Sequence, residues 1–368
     1  MMTRSAQGAK TLPGKYYTDQ AIYELETRNI FSKKWLYVGR GGEIPRPGDY
    51  FLLETEGESI IILRDRNLKV RAFYNICRHR GTKLCEVATG KFGQTIQCIY
   101  HAWTYRLDGT LHGAPNMHEV ASFEKSDYPL LQVASAEWEG CLFINLSDNP
   151  EPFEQAFAPL ISKFSKWQMT ELITVHRIVY EVAANWKLVF QNYSECYHCP
   201  SLHPALNRLT PYRNSSNDLM EGPFLGGPMH FAEDSDSMTM TGRVCAAPLA
   251  QLDEADLRLA YYYTVQPNML LSLFPDYVMI HRVERDGPAK SRVMCDWLFD
   301  AQAAAKPDFD PSGAIEFWNM TNQQDWQVSE LSQLGVSSRA YQPGPYAELE
   351  SMIAAWDREY LRTLKENE

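Results

Sequence analysis

Two short runs, Cys77-Arg78-His79-Arg80-Gly81 and Cys98-Ile99-Tyr100-His101-Ala102-Trp103, each offer one thiolate and one imidazole, with eighteen residues between His79 and Cys98. No other feature constrains the chain as much, because one scaffold must hold both loops so that four ligands reach a common centre. Such a set can close a tetrahedral Cys2His2 zinc site, or hold a two-iron, two-sulfide cluster with both cysteines on one iron and both histidines on the other. Zinc modules pair like with like, cysteine beside cysteine and histidine beside histidine. Here each loop contributes one of each kind, as the cluster requires. Cys85 lies between the loops but outside the pattern, and is expected to be a packed cysteine.

The sequence around these loops is β-rich. From Gly39 to about Asn149 short strands alternate with turns: Ser59 to Leu63 and Val70 to Tyr74 flank Asp65-Arg66-Asn67, and Asp108-Gly109 marks a hairpin after Tyr105 to Leu107. Ahead of them, Thr18 and Asp19 can cap a helix from Gln20 to about Lys34. Beyond Pro150 and Pro152 the expected order is a helix from Phe153 to Trp167, a strand from Leu172 to Ala184, and a helix from Trp186 to Cys196 that breaks near Pro200. An antiparallel meander from Leu257 to Phe299 follows, then a helix opened by Asp310-Pro311, and a last helix from about Pro345 to Lys365. Residues 213–248, rich in Asn, Ser, Asp, Gly and Met, are expected to form a long loop. The pattern divides the chain into an N-terminal helical segment (1–38), a β domain (39–150) and a larger domain (151–368).

Composition narrows the function classes. Lys and Arg number 35 against 46 Asp and Glu, a net charge of −11, so bulk electrostatics does not draw the chain to nucleic acid or to a membrane surface. The eight cysteines could form four disulfides. The start has no continuous apolar leader, however, and no run approaches the ~18 apolar residues of a membrane span. A cytoplasmic protein is expected, in which clustered cysteines ligate metal or pack as small apolar residues.

A second constellation lies in the run from Asn185 to His203, where Asn185-Trp186-Lys187 leads to Asn192, Glu195, Cys196-Tyr197-His198-Cys199-Pro200 and His203. Five residues on an ideal helix turn through about 500°, so His198 and His203 can meet one ion only if the helix deforms, and Pro200 offers the means. Two histidines and one carboxylate on one face of a metal are the ligand set of mononuclear Fe(II) oxygenases. Cys196 and Cys199 are expected to point into packing, because a thiolate would compete for the iron. His112, His118, His176, His230 and His281 fit no ligand pattern.

Both constellations, in this order, resemble the Rieske non-haem iron oxygenases of the ring-hydroxylating type. The family reads C-x-H-R-G and C-x-Y-H-x-W in the cluster loops, usually with glycine where this chain has Ala102, then N-W-K, an Asn, an acidic residue, Y-H and a histidine five residues on. The resemblance implies an α+β fold in which an all-β Rieske domain is inserted into a catalytic domain, itself an antiparallel sheet surrounded by helices, with the N-terminal helix packed on that domain. It implies one 2Fe-2S cluster on Cys77, His79, Cys98 and His101, and one Fe(II) on His198, His203 and a distant third ligand. Asp325 fits that third place by position, with Glu330 as the competing carboxylate. Glu195, where aspartate is usual, is implied to bridge a cluster histidine of one subunit and an iron-ligand histidine of the next. Electrons therefore cross between subunits of a head-to-tail ring, commonly a homotrimer.

No G-x-G-x-x-G fingerprint follows a strand, so NAD(P)H and flavin are expected only on a separate reductase. Glutamate at position 195 and the Cys-Tyr-His-Cys wording resemble the branch that oxidises small quaternary ammonium substrates such as carnitine, glycine betaine, choline and proline betaine with O2. Tyr261, Tyr262, Tyr263, Phe274, Tyr277 and Trp318 could cage the cationic head or simply form core. Two other readings stand beside this one: an aromatic-ring dioxygenase or demethylase with an apolar pocket, and a zinc-stabilised binding protein without redox chemistry.

Overall fold

The computed structural model of the chain describes residues 6–365. Residues 31–158 form one compact unit, and the segments before and after them form another. The chain enters through two short helices, α1 (Lys15–Thr18) and α2 (Gln20–Glu26). Asp19 caps α2 by accepting from the Ala21 amide at 2.8 Å. Beyond Glu26 the expected helix loosens into a five-residue π turn, Thr27–Phe31.

The inner unit holds β1 (Leu36–Arg40), β2 (Asp49–Thr55), β3 (Glu58–Arg64), β4 (Val70–Tyr74), β5 (Thr89–Lys91), β6 (Thr95–Gln97), β7 (Thr104–Arg106), β8 (Leu111–Gly113), β9 (Gln132–Trp138) and β10 (Cys141–Asn145). Seven of these strands form an antiparallel sheet in the order β1-β10-β9-β4-β3-β2-β5, and β6-β7-β8 form a smaller one. In β3, Ile60, Ile61, Ile62 and Leu63 are all fully buried, so both faces of the strand are covered and the apolar run is continuous rather than alternating. The turn between β7 and β8 needs Gly109, whose φ is +88° and whose missing Cβ would lie 2.5 Å from the Phe73 ring.

This unit extends past the boundaries expected from sequence, 38/39 and 150/151. The reason is pairing and aromatic packing. β1 adds to the sheet beside β10, and Phe153 in the one-turn helix α3 (Phe153–Ala156) packs with Phe143 and Trp35, while Phe157 packs with Trp138. The helix expected from Phe153 to Trp167 does not continue, because Pro159 lacks a donor and disfavours the α conformation at Ala158.

The outer unit is built on a six-stranded antiparallel sheet of β11 (Leu172–Val182), β12 (Phe224–His230), β13 (Leu259–Val265), β14 (Met269–Leu273), β15 (Val278–Arg285) and β16 (Ser291–Asp300), in the order β11-β16-β15-β14-β13-β12. β12 lies within the stretch expected to be loop. Gly226-Gly227-Pro228 hides it, since all three residues are depleted in strands, yet an edge strand tolerates Pro. Gly226 is required there: a Cβ would lie 2.0 Å from the Tyr262 carbonyl oxygen.

Helices of this unit are α4 (Trp186–Tyr193), α5 (Cys199–Leu202), α6 (Pro204–Leu209), α7 (Ala301–Ala304), α8 (Ser312–Val336) and α9 (Ser351–Lys365). α8 buries a stripe of Ala314, Phe317, Trp318, Thr321, Asn322, Trp326, Ser329 and Gln333, the spacing of a helix with one face on a core. The Asn185-Trp186-Lys187 triplet anchors α4. Asn185 accepts from the Lys187 amide at 3.0 Å, while Trp186 Nε1 and Lys187 Nζ donate to Glu26 of α2 at 2.9 and 2.5 Å. Tyr360 of α9 and Arg285 of β15 also reach that carboxylate, at 2.6 and 3.4 Å. Glu26 and Lys187 are both fully buried, so one ion pair ties the N-terminal helix, the helix leading to the histidines and the last helix together. Among the described residues, no helix is long and apolar enough to cross a membrane.

Candidate metal centres

In the β unit, two loops converge at one end of the scaffold. The first closes through Gly81 N to Cys77 O at 2.9 Å and Cys77 N to Thr82 O at 2.8 Å, with Gly81 at a φ of +73°. The second closes through Ala102 N to Cys98 O at 3.1 Å and Cys98 N to Trp103 O at 2.8 Å. Cys77 and Cys98 are buried, His79 is half-buried and His101 exposed, and the imidazole centroids lie 4.6 Å apart. Trp103 stacks on His79 at 4.9 Å. Burial pushes the Cys77 thiol up and Cys98 adds to this, against a hydrogen bond with the Tyr105 hydroxyl at 3.3 Å. Burial, then the neighbouring His101 and Arg80, hold His79 below its ordinary pKa, which favours the neutral imidazole that ligates metal. Two buried sulfurs and two outer imidazoles fit a two-iron cluster whose histidine edge faces outward.

Ala102 sits at a φ of +56°, a region where a Cβ costs roughly 1 kcal/mol. Ala102→Gly is expected to raise stability by about 0.5–1 kcal/mol, read from the unfolding midpoint of the cluster-loaded protein. An unchanged midpoint would show that the loop does not carry this strain.

In the outer unit, the chain leaves α4 at Tyr193 and turns through residues 194–198. Glu195 Oε2 accepts from the amides of Tyr197 and His198, so the glutamate caps the next turn as well as facing the histidine. α5 then runs for one turn with Pro200 near its start, and the chain breaks at His203 (φ −124°, ψ 65°) before Pro204 opens α6. The two breaks flank the one-turn helix, so Pro200 helps to start α5 and the deformation falls elsewhere. Cys196 and Cys199 pack in and against the core, as the sequence suggested, but as a disulfide with Cα atoms 4.9 Å apart and not as two thiols. The turn that brings Cys199 N to Cys196 O at 3.2 Å also brings the two sulfurs together.

His198, His203 and Asp325 then share one locus, their ligand atoms all within 4.8 Å of one another. Asp325 Oδ1 is 2.8 Å from His203 Nε2 and 3.5 Å from His198 Nε2. It lies beside the buried stripe of α8, one turn beyond Asn322. Glu330 is turned away and accepts from the Ala183 amide at 2.9 Å. His198 Nδ1 meets Glu195 Oε1 at 2.5 Å, and His203 Nδ1 meets Gln324 Oε1 at 2.7 Å. Burial pulls the His198 imidazole down, but hydrogen bonds with Asp325 and Glu195 outweigh it and push its pKa up to about 10. Burial likewise raises the Asp325 carboxyl, and its hydrogen bonds with the two histidines hold it below the ordinary carboxylate range. Two imidazole nitrogens and a carboxylate, in a field that favours a cation, suit a divalent iron.

A cavity of about 130 Å³ opens on this locus. Tyr193, Tyr212, Tyr262 and Trp318 supply aromatic walls, and Leu206, Leu225, Met229 and Met352 apolar ones. Glu195 and Asp325 are its acidic groups. Of the six aromatic residues singled out in the sequence, Tyr262 and Trp318 line the cavity, while Phe274 and Tyr277 lie in the core beneath. Tyr261 and Tyr263 instead hydrogen-bond Asp256 and Asp218. Tyr193, Tyr212 and the glycines of β12 carried no pattern that marked them.

The Rieske [2Fe-2S] domain family matches residues 34–124, and the ring hydroxylating alpha subunit catalytic domain family matches residues 169–366, more than half of the chain. The chain belongs to the Rieske ring-hydroxylating oxygenases. As a member of this family it carries a Rieske cluster domain and a mononuclear iron domain, and it is an oxidoreductase. The glycine betaine monooxygenase oxygenase subunit of Chromohalobacter salexigens is 33% identical over 94% of this chain and 84% of its own length. The carnitine monooxygenase oxygenase subunit of Escherichia coli K12 is 38% identical over about half of each chain (55% and 54%). The quaternary ammonium Rieske monooxygenase CntA, solved with an inhibitor, superposes with a TM-score of 0.81 at 26% identity over 97% of this chain and 96% of its own. Naphthalene 1,2-dioxygenase from Rhodococcus shares the fold with a TM-score of 0.77 at 20% identity, covering 96% and 94%. The α+β architecture expected of a Rieske oxygenase is borne out in both units.

Proposed function

We propose that this Rieske oxygenase is the terminal component of a system that hydroxylates a small quaternary ammonium compound, with Cys77, His79, Cys98 and His101 holding the cluster and His198, His203 and Asp325 the iron. The cavity carries this reading: the aromatic faces of Tyr193, Tyr212, Tyr262 and Trp318 attract a cation that has no hydrogen to donate. Polar Asn192, Ser215, Asn217, Thr264 and Thr321 interleave the apolar walls, which suits a substrate with a polar tail better than an arene. Relatives that act on glycine betaine and carnitine support the same class.

The reaction balances as R–H + O2 + 2 electrons + 2 protons giving R–OH + H2O. A carbinol formed beside the ammonium nitrogen then collapses by C–N cleavage to an amine, an aldehyde and a proton, the aldehyde being formaldehyde where an N-methyl group is attacked. Iron bound at the triad supplies O2 activation, and the cluster supplies electrons drawn from a separate flavin or ferredoxin-type reductase. The chain's own groups do the rest. Asp325 and the two imidazoles leave one side of their locus open to the cavity, and the aromatic walls orient the ammonium methyls while keeping bulk water out. Glu195 Oε1 lies 2.5 Å from His198 Nδ1 and accepts the hydrogen bond from its proton, and the exposed His101 suits docking against the next subunit of a homotrimeric ring. With Cys77 and Cys98 assigned to the cluster, the reading is of a cytoplasmic catalyst.

The test is a substrate panel of glycine betaine, carnitine, choline, proline betaine and naphthalene with a surrogate reductase. Formaldehyde or amine from at least one ammonium compound is expected. A diol from naphthalene, with every ammonium compound untouched, would reverse the substrate class. Glu195→Gln is expected to retain both metals yet slow single-turnover product formation roughly 10–100-fold. A near-normal rate would remove its bridging role.

A further inference from the structure

The two histidines of the iron locus are held from behind by different chemistry. His198 Nδ1 faces a carboxylate, Glu195 Oε1, at 2.5 Å, whereas His203 Nδ1 faces a neutral amide oxygen, Gln324 Oε1, at 2.7 Å. His203 is 2% exposed, so it has little water to hydrogen-bond in place of the glutamine. Gln324 and Asp325 are consecutive on α8, and they grip the same ring at opposite nitrogens, Asp325 Oδ1 lying 2.8 Å from Nε2. An amide oxygen only accepts, so Nδ1 carries the proton that Gln324 holds, and Nε2, facing Asp325, is left as the nitrogen that would take an ion. One helical segment thus supplies the metal locus with a carboxylate and also fixes which nitrogen of His203 faces it.

We propose that Gln324 is the positioning residue for His203, setting its tautomer and ring plane so that Nε2 is presented before the ion arrives. Being uncharged, it leaves the carboxylate contact at an Nδ1 to the His198 side. The inference rests on the reading of His198, His203 and Asp325 as the iron ligands. Among metal-bound histidines such outer partners typically govern affinity by roughly 10–100-fold.

The test uses full-length protein with the cluster intact and the mononuclear iron stripped by a chelator. Ferrous ion alone is titrated back against a competing chelator, and the electron paramagnetic resonance of the nitric oxide adduct is recorded. Gln324→Met, similar in size but without the acceptor, is expected to weaken Fe(II) binding roughly 10–100-fold and broaden the adduct signal, with cluster absorbance and unfolding midpoint unchanged. Gln324→Glu restores the acceptor and is expected to recover affinity to within threefold of wild type, with a shifted adduct spectrum. Gln324→Met binding within threefold of wild type, or no recovery with Gln324→Glu, overturns the inference. If Gln324→Met fails to fold, Gln324→Glu decides: an adduct spectrum identical to wild type overturns it. Wild-type protein that takes up no Fe(II) would instead overturn the ligand assignment beneath it.

Discussion

Asp325→Ala is expected to abolish turnover and release the mononuclear iron while the visible absorbance of the cluster stays at its wild-type level. The carboxylate oxygen lies 2.8 and 3.5 Å from the two histidine nitrogens, and no other acidic oxygen joins this group among the described residues. Removing it leaves two neutral donors, too few to hold a divalent ion in competition with water. Activity and mononuclear iron should therefore fall together, by at least about 100-fold. Retention of that iron would place the third ligand elsewhere. Loss of the cluster as well would mean that the substitution had disrupted the fold rather than the site.

Glu26→Ala is expected to produce the largest loss of stability. One buried carboxylate accepts from Lys187, Tyr360, Trp186 and Arg285, and its removal strands a buried ammonium and two buried neutral donors. Breaking such a pair costs about 3–5 kcal/mol, which should appear as a lowered urea midpoint. Lys187→Met should cost less than Glu26→Ala, because the carboxylate keeps Arg285 and its neutral donors. Equal or reversed costs would show that the network is not organised around Glu26. Because Lys187 belongs to the helix that leads to Glu195 and His198, the same variants are expected to loosen iron binding before they unfold the protein.

These two residues also show what could be learned from the chain alone. The cluster loops were legible because all four proposed ligands fall in two motifs of a few residues, where spacing is chemistry. His198 and His203 were legible as a pair, but the device that lets them meet was not: the helix breaks after Tyr193 and at His203, while Pro200 sits within a new turn. Asp325 was reached through the family's order of motifs, since an aspartate on a helix has no local signature until the helix is known to bury the adjoining stripe. Glu26 and Gln324 act through partners as far as 334 and 121 residues away, and Tyr193 and Tyr212 through a wall shared by several elements, and no short-range pattern encodes that. β12 was hidden for the opposite reason: Gly226-Gly227-Pro228 reads locally as loop, and only the close approach of Tyr262 makes glycine necessary there.

The central claim is that one chain holds two different iron centres. Elemental and acid-labile sulfide analysis of the purified protein tests it most directly. About three iron atoms and about two sulfides per chain are expected, the sum of one two-iron cluster and one mononuclear site. A colourless, zinc-loaded protein without iron or sulfide would contradict it.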